Sequence, residues 1–75
     1  MTPTYGVVLF EYTYDAIRAE QILKLELPIT VMPAPRRFSA SCGIALRFPT
    51  DVIARVKELL KKNHIPGRVE LLDEE

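Results

Sequence analysis

The feature that most constrains the fold is an order of elements that occurs twice. A short apolar run, a helix-period stretch and a second short run follow one another over residues 5–32 and again over residues 43–71. Tyr5 to Phe10 reads as a strand, and the consecutive Val7, Val8 and Leu9 suit a central strand with at least one buried face. Thr13 reads as an N-cap and Asp15 as a first-turn acid favoured by the helix dipole. Ala16, Ala19, Leu23 and Leu27 recur at near-helical spacing with Ile22 beside them, opposite Arg18, Glu20, Gln21 and Lys24. This predicts an amphipathic helix ending before Pro28. Ile29 to Met32 forms a short strand, stopped by Pro33-Ala34-Pro35 because proline cannot donate to a ladder.

Arg36 to Ser41 has neither period and reads as a loop held extended by Pro33 and Pro35. Gly43 to Phe48 resumes as a strand, with Ile44, Leu46 and Phe48 on one face and Ala45 and Arg47 on the other. Pro49 and Thr50 open a second helix. Its apolar stripe is Val52, Ile53, Val56, Leu59 and Leu60, and its charged side ends on Lys61 and Lys62, where the dipole favours cations. Asn63 to Gly67 is the exit turn. Val69 and Leu71 alternate with Arg68 and Glu70 in a last strand, and Asp73-Glu74-Glu75 reads as a frayed tail. A weak echo relates Leu27-Pro28-Ile29-Thr30-Val31 to Ile65-Pro66-Gly67-Arg68-Val69. The expected architecture is an α+β, ferredoxin-like βαββαβ two-layer sandwich. It has an antiparallel sheet with two helices on one face and a single domain over residues 1–75.

Such a sheet keeps a second face, and strand one is apolar on both sides. A homodimer through that face, a ligand cover, or a half-exposed surface all remain open. An RNA-recognition reading needs aromatics on the outer faces of the central strands, and the third strand offers Ala45 and Arg47 there, which argues against it.

Composition narrows the function further. Lys+Arg 10 balances Asp+Glu 10, so no basic stripe marks a nucleic-acid binder. With 48% hydrophobic residues the chain can build a core without staples. One cysteine permits no internal disulfide, and one Cys with one His makes a four-ligand zinc site hard to assemble, so neither metal nor cofactor is expected. No apolar run is long enough to span a bilayer, and Met1 to Tyr5 has no signal-peptide character. The expected location is the cytoplasm, where a lone thiol stays reduced.

The chemistry concentrates in Pro35-Arg36-Arg37-Phe38-Ser39-Ala40-Ser41-Cys42-Gly43. Cys42 stands where loop becomes strand. Arg36 and Arg37 supply positive charge that stabilises a thiolate, Ser39 and Ser41 supply hydroxyl donors, and Gly43 lets a partner approach closely. Against this, free cysteine is often a small buried hydrophobe, and strict alternation puts Cys42 on the face of Ile44 and Leu46. Spacing alone leaves the two evenly matched, and the adjacent arginines favour the reactive reading. His64, at a helix exit, reads as a capping or surface residue, and Asp15 and Glu20 as dipole and surface charges. No Gly-rich phosphate loop occurs, and no base can be placed beside the thiol.

With these residues in view, the chain resembles a family of small bacterial and archaeal domains described as selenium/sulfur carrier-like. The resemblance covers nearly the whole chain. It rests on Asp15-Ala16, Ala19-Glu20, Pro33-Ala34-Pro35-Arg36 and above all Ser39-Ala40-Ser41-Cys42-Gly43-Ile44-Ala45-Leu46-Arg47-Phe48. Members often have two serines before the cysteine; here Ala40-Ser41 stands there, which weakens any special role for position 40. The resemblance implies sulfur or selenium transfer, with Cys42 as carrier thiol, Gly43 as the close-approach position and Arg36 as a neighbour. It also implies sulfur donor and acceptor proteins as partners. The alternative is a non-catalytic binding or assembly module using the Pro33–Ser41 loop or the second sheet face for a small ligand or partner.

Overall fold

A computed structural model describes residues 4–38 and 43–73. The elements are β1 (Thr4–Leu9), α1 (Thr13–Leu23), β2 (Thr30–Pro33), β3 (Ile44–Pro49), a single 3-10 turn (Thr50–Val52), α2 (Ile53–Lys62) and β4 (Arg68–Asp73). The four strands lie in the order β2-β3-β1-β4, and each neighbouring pair is antiparallel. The fold is therefore the expected α+β sandwich of ferredoxin-like type, in which two βαβ halves interlock through the central β1–β3 pair.

Register assigns each strand residue to a face. Val8 lies opposite Leu46 on one side and Val69 on the other, and Gly6 lies opposite Phe48 and Leu71. This face packs against Ala16, Ala19 and Leu23 of α1 and Val56, Leu59 and Leu60 of α2, all buried. Ala16 and Ala19 are fully buried, and their small side chains let α1 lie close to the sheet. Gly6 serves the same packing from the sheet side, since a Cβ there would overlap the ring of Phe48. Between the helices, Arg18 donates to the carbonyl of Asn63 at 3.2 Å, beyond the C-terminus of α2.

The second face is not left open. Val7, Leu9, Ala45 and Leu72 are buried there in a cluster of their own, with Tyr5, Met32, Ala34 and Phe38 packed against it. Arg47 lies over the Tyr5 ring at 3.9 Å, so the only aromatic from the central strands on this face is itself stacked by a cation. Ala45 and Arg47 do point away from the helices, as alternation predicts.

Several boundaries differ from expectation. Tyr12, not Thr13, is the N-cap of α1; its backbone is extended and its carbonyl accepts from Asp15 and Ala16, while its side chain caps nothing. Helix α1 stops at Leu23, well short of Pro28, because residues 24–27 form a turn in which Leu27 N–H bonds the Leu23 carbonyl at 2.9 Å. Leu27 still packs on the core from that turn. In β4, Leu71 is 57% exposed and Leu72 is buried, because Leu71 sits opposite Gly6 at the end of the helix-covered face while Leu72 joins the second cluster. Asp73 is paired with Thr4 in the sheet rather than frayed.

Helix α2 ends in a Schellman motif. Ile65 N–H bonds Leu60 carbonyl at 2.9 Å, His64 N–H bonds Lys61 carbonyl at 3.2 Å, and His64 takes φ 57. The exposed His64 is thus part of the helix cap, as read from sequence, and the buried Ile65 makes the accompanying hydrophobic contact. Outside the core, Arg55 of α2 bonds Glu26 at 2.7 Å and Glu58 at 2.9 Å. The hydrogen bonds to these two carboxylates, Glu26 foremost, hold the guanidinium above its ordinary pKa.

Candidate functional site

The antiparallel order brings four chain ends to one edge of the sheet: the exits of β1 and β2 and the starts of β3 and β4. The β2–β3 loop, which contains the cysteine, springs from this edge. Its base is closed by a hydrogen bond from Ala34 N–H to the Gly43 carbonyl at 3.0 Å, extending the β2–β3 ladder by one step. Beyond Ala34 the chain does not run extended. Phe38 N–H bonds the Pro35 carbonyl at 3.0 Å, so Pro35–Phe38 is a tight turn with Arg36 and Arg37 at its two central positions. Both arginines are exposed. Proline lacks the N–H but keeps its carbonyl, so Pro35 can end the strand and still accept the turn's bond.

Phe38 anchors the loop. It packs, half-buried, on the second cluster and takes a cation from each side of the sequence: Arg37 lies 5.3 Å and Arg68 5.9 Å from its ring centroid. Arg68, at the start of β4, also pairs through Nε with Glu70 at 3.2 Å. Sequence reasoning assigned Phe38 no role and left Arg68 as an outward strand residue. The available signal was that Phe38 is the lone aromatic in a Pro- and Arg-rich loop.

Gly43 follows the cysteine and has φ +79, a conformation L side chains adopt at a cost. It is exposed, and no described residue beyond its chain neighbours stands within 4 Å of where a side chain would project. The strand begins only at Ile44. Alternation therefore stops at Ile44, and counting faces back through Gly43 does not assign Cys42 to the core. Of the six residues singled out for the site, the structure brings Arg36, Arg37 and Gly43 into one closed loop; Ser39, Ser41 and Cys42 lie outside the described residues, as does Ala40.

The same sheet edge carries a cleft of ≈ 350 Å³ between the β1–α1 and α2–β4 connections, lined among others by Glu11, Tyr12, Asp15 and Arg68. Asp15 thus faces a concavity as well as the first turn of α1. Glu20 is a helix-surface charge, paired with Lys24 at 3.0 Å. Among the described residues no group of three or more His, Cys, Asp or Glu side chains is arranged to hold a metal, and no helix is long and apolar enough to cross a membrane.

Fold and loop together define a small ferredoxin-like α+β domain whose single cysteine lies in a closed loop at one sheet edge. The chain belongs to the family described as "Putative Se/S carrier protein-like", whose model matches residues 5–68 and so includes the whole β2–β3 loop. It is also similar to an uncharacterized protein of Methanocaldococcus jannaschii, 35% identical over 60 residues, which are 80% of this chain and 30% of that protein. The chain thus spans less than a third of the length of this relative. No solved structure matches.

Proposed function

We propose that the protein carries sulfane sulfur, or selenium in the same oxidation state, on Cys42. The observation that carries the reading is the family match across residues 5–68, with Ser41-Cys42-Gly43 inside it. The loop supports it in two ways. Arg36 and Arg37 place two exposed cations in the segment that holds the thiol, a setting that favours thiolate. Gly43, next to the sulfur-bearing residue, adds no side chain of its own, which favours close approach by a second protein's persulfide.

The chemistry is thiol exchange. The Cys42 thiolate attacks the terminal sulfur of a donor protein's cysteine persulfide. A bond forms between Sγ of Cys42 and that sulfur, the donor's S–S bond breaks, and the donor cysteine leaves as thiolate and takes up a proton. Cys42 now holds the persulfide; an acceptor thiolate removes the terminal atom by the same step. No net oxidant is consumed. Ser39 and Ser41 serve as hydrogen-bond donors to the charged sulfur. Selenium follows the same route with a selenosulfide in place of the persulfide. The partners are donor and acceptor proteins.

The deciding experiment offers a donor protein loaded with ³⁵S-persulfide to the wild-type chain and to Cys42→Ser. Label must reach the wild type in a form released by thiol reductant and must not reach the variant. Equal labelling of the variant overturns the assignment.

A further inference from the structure

The outer side of β4 is a sheet edge. In the strand order β2-β3-β1-β4 it pairs with β1 alone, so among the described residues no strand bonds its other side. The two edges of the sheet differ. Strand β2 is four residues long and ends on Pro33, which lacks a donor, whereas β4 is six residues long and contains no proline. Leu71 of β4 is 57% exposed at the end of the helix-covered face. On that same face a hollow of ≈ 470 Å³ lies between α2 and the start of β4, lined among others by Leu60, Lys61, Ile65, Gly67 and Val69. A projecting leucine and a hollow able to receive one stand along a single strand.

We propose that two copies of the chain pair through this edge, β4 running antiparallel to the partner's β4 about a two-fold axis at Val69. A continuous sheet keeps facing residues on the same side, so only registers centred on a residue are open to it. Charge selects among them. Arg68 and Glu70 stand together on the second sheet face, bonded within the chain at 3.2 Å. Centring on Arg68 or on Glu70 sets like charges directly opposite, which repels. Centring on Val69 sets Arg68 opposite the partner's Glu70, and the reverse contact repeats it, so four charges alternate in sign. On the helix-covered face the same register brings Leu71 to the partner's Gly67. A glycine there leaves the hollow open to the incoming side chain. Five paired residues and two leucines make an interface below standard size, so the dimer is expected to be weak, with Kd of about 10–100 µM.

The inference does not depend on sulfur chemistry, and its test is made in the Cys42→Ser chain, where no intermolecular disulfide can form. Sedimentation equilibrium is expected to show monomer at about 1 µM and mostly dimer at about 1 mM. Leu71→Asp and Glu70→Arg are each expected to raise Kd at least about tenfold, and combining Glu70→Arg with Arg68→Glu to restore it to within about threefold of the parent. All three side chains lie on the surface, and two-dimensional NMR spectra of the variants report the fold directly. In a mixture of ¹³C-labelled and unlabelled chains, nuclear Overhauser contacts between copies are expected from the Leu71 methyls to Gly67. A chain that stays monomeric at about 1 mM overturns the proposal. So does a dimer whose contacts between copies fall on Val7 and Leu9 of the second face or in another β4 register, and so does a folded charge-swapped variant that fails to recover pairing.

Discussion

At the scale of single residues, two left-handed positions behave differently because one is glycine and the other is not. Gly43 has φ +79 with no described residue beyond its chain neighbours within 4 Å of where a side chain would project, so Gly43→Ala carries a conformational cost. A loss of about 1–2 kcal/mol is expected in urea denaturation, with Gly43→Asn losing less because asparagine tolerates this region. Equal losses for the two variants would show that something other than φ sets the cost. His64, at φ 57, already carries that cost at the C-terminus of α2. His64→Gly is therefore expected to stabilise by up to about 1 kcal/mol, glycine being the usual residue at this cap position. The capping role was legible from sequence, since a polar residue followed a helix stripe and preceded Ile-Pro-Gly. The break in alternation at Gly43 was not, because glycine is compatible with strand and turn alike and only the neighbouring hydrogen bonds select between them.

At the scale of elements, the described residues of the β2–β3 loop are held by the Ala34–Gly43 bond and the Phe38 ring. Burying a phenylalanine fully is worth about 3–5 kcal/mol against alanine, and Phe38 is half-buried, so Phe38→Ala is expected to cost about 1–2 kcal/mol. The Ala34 amide reports the loop specifically: its hydrogen exchange should quicken in this variant more than that of the core amide of Val8. Uniform acceleration of both would mean that Phe38 stabilises the whole fold and not the loop. The Arg55 bridge acts between elements, linking α2 to the turn after α1. Its pKa is raised, so its contribution is fully present at neutral pH and is lost as pH rises through the raised value. Stability from Arg55 should stay constant across neutral pH, and the difference between wild type and Arg55→Gln should shrink with added salt, since the pair is exposed.

At the scale of the whole molecule, the carrier reading predicts a thiol that reacts in the folded state. The alkylation rate of Cys42 against pH, with unfolded protein as reference, is expected to show a midpoint below that of the unfolded chain. Reaction that is slow until the protein unfolds would point to a buried cysteine. The non-catalytic binding module would then be the better description, with the Arg36–Arg37 turn and the sheet-edge cleft as its surfaces. The antiparallel strand order matters here, because it brings the loop, Arg68 and the cleft to one edge although they are far apart in the chain.

The sequence by itself determined the order of elements, the helix-covered core and the family, because periods of two and of 3.6 residues and a short cysteine motif are local properties. It also showed that Ala45 and Arg47 turn away from the helices. Contacts between distant segments were left to the tertiary structure. Pairing through β1 joined Leu72 to Val7 and put Leu71 at the end of the helix-covered face, a choice that two adjacent leucines do not disclose. Phe38 covered the second sheet face because an apolar cluster there needed a partner that no local pattern could name. Arg68 met Phe38 because the start of β4 and the β2–β3 loop converge on one sheet edge, and convergence is a property of the fold and not of any stretch of chain.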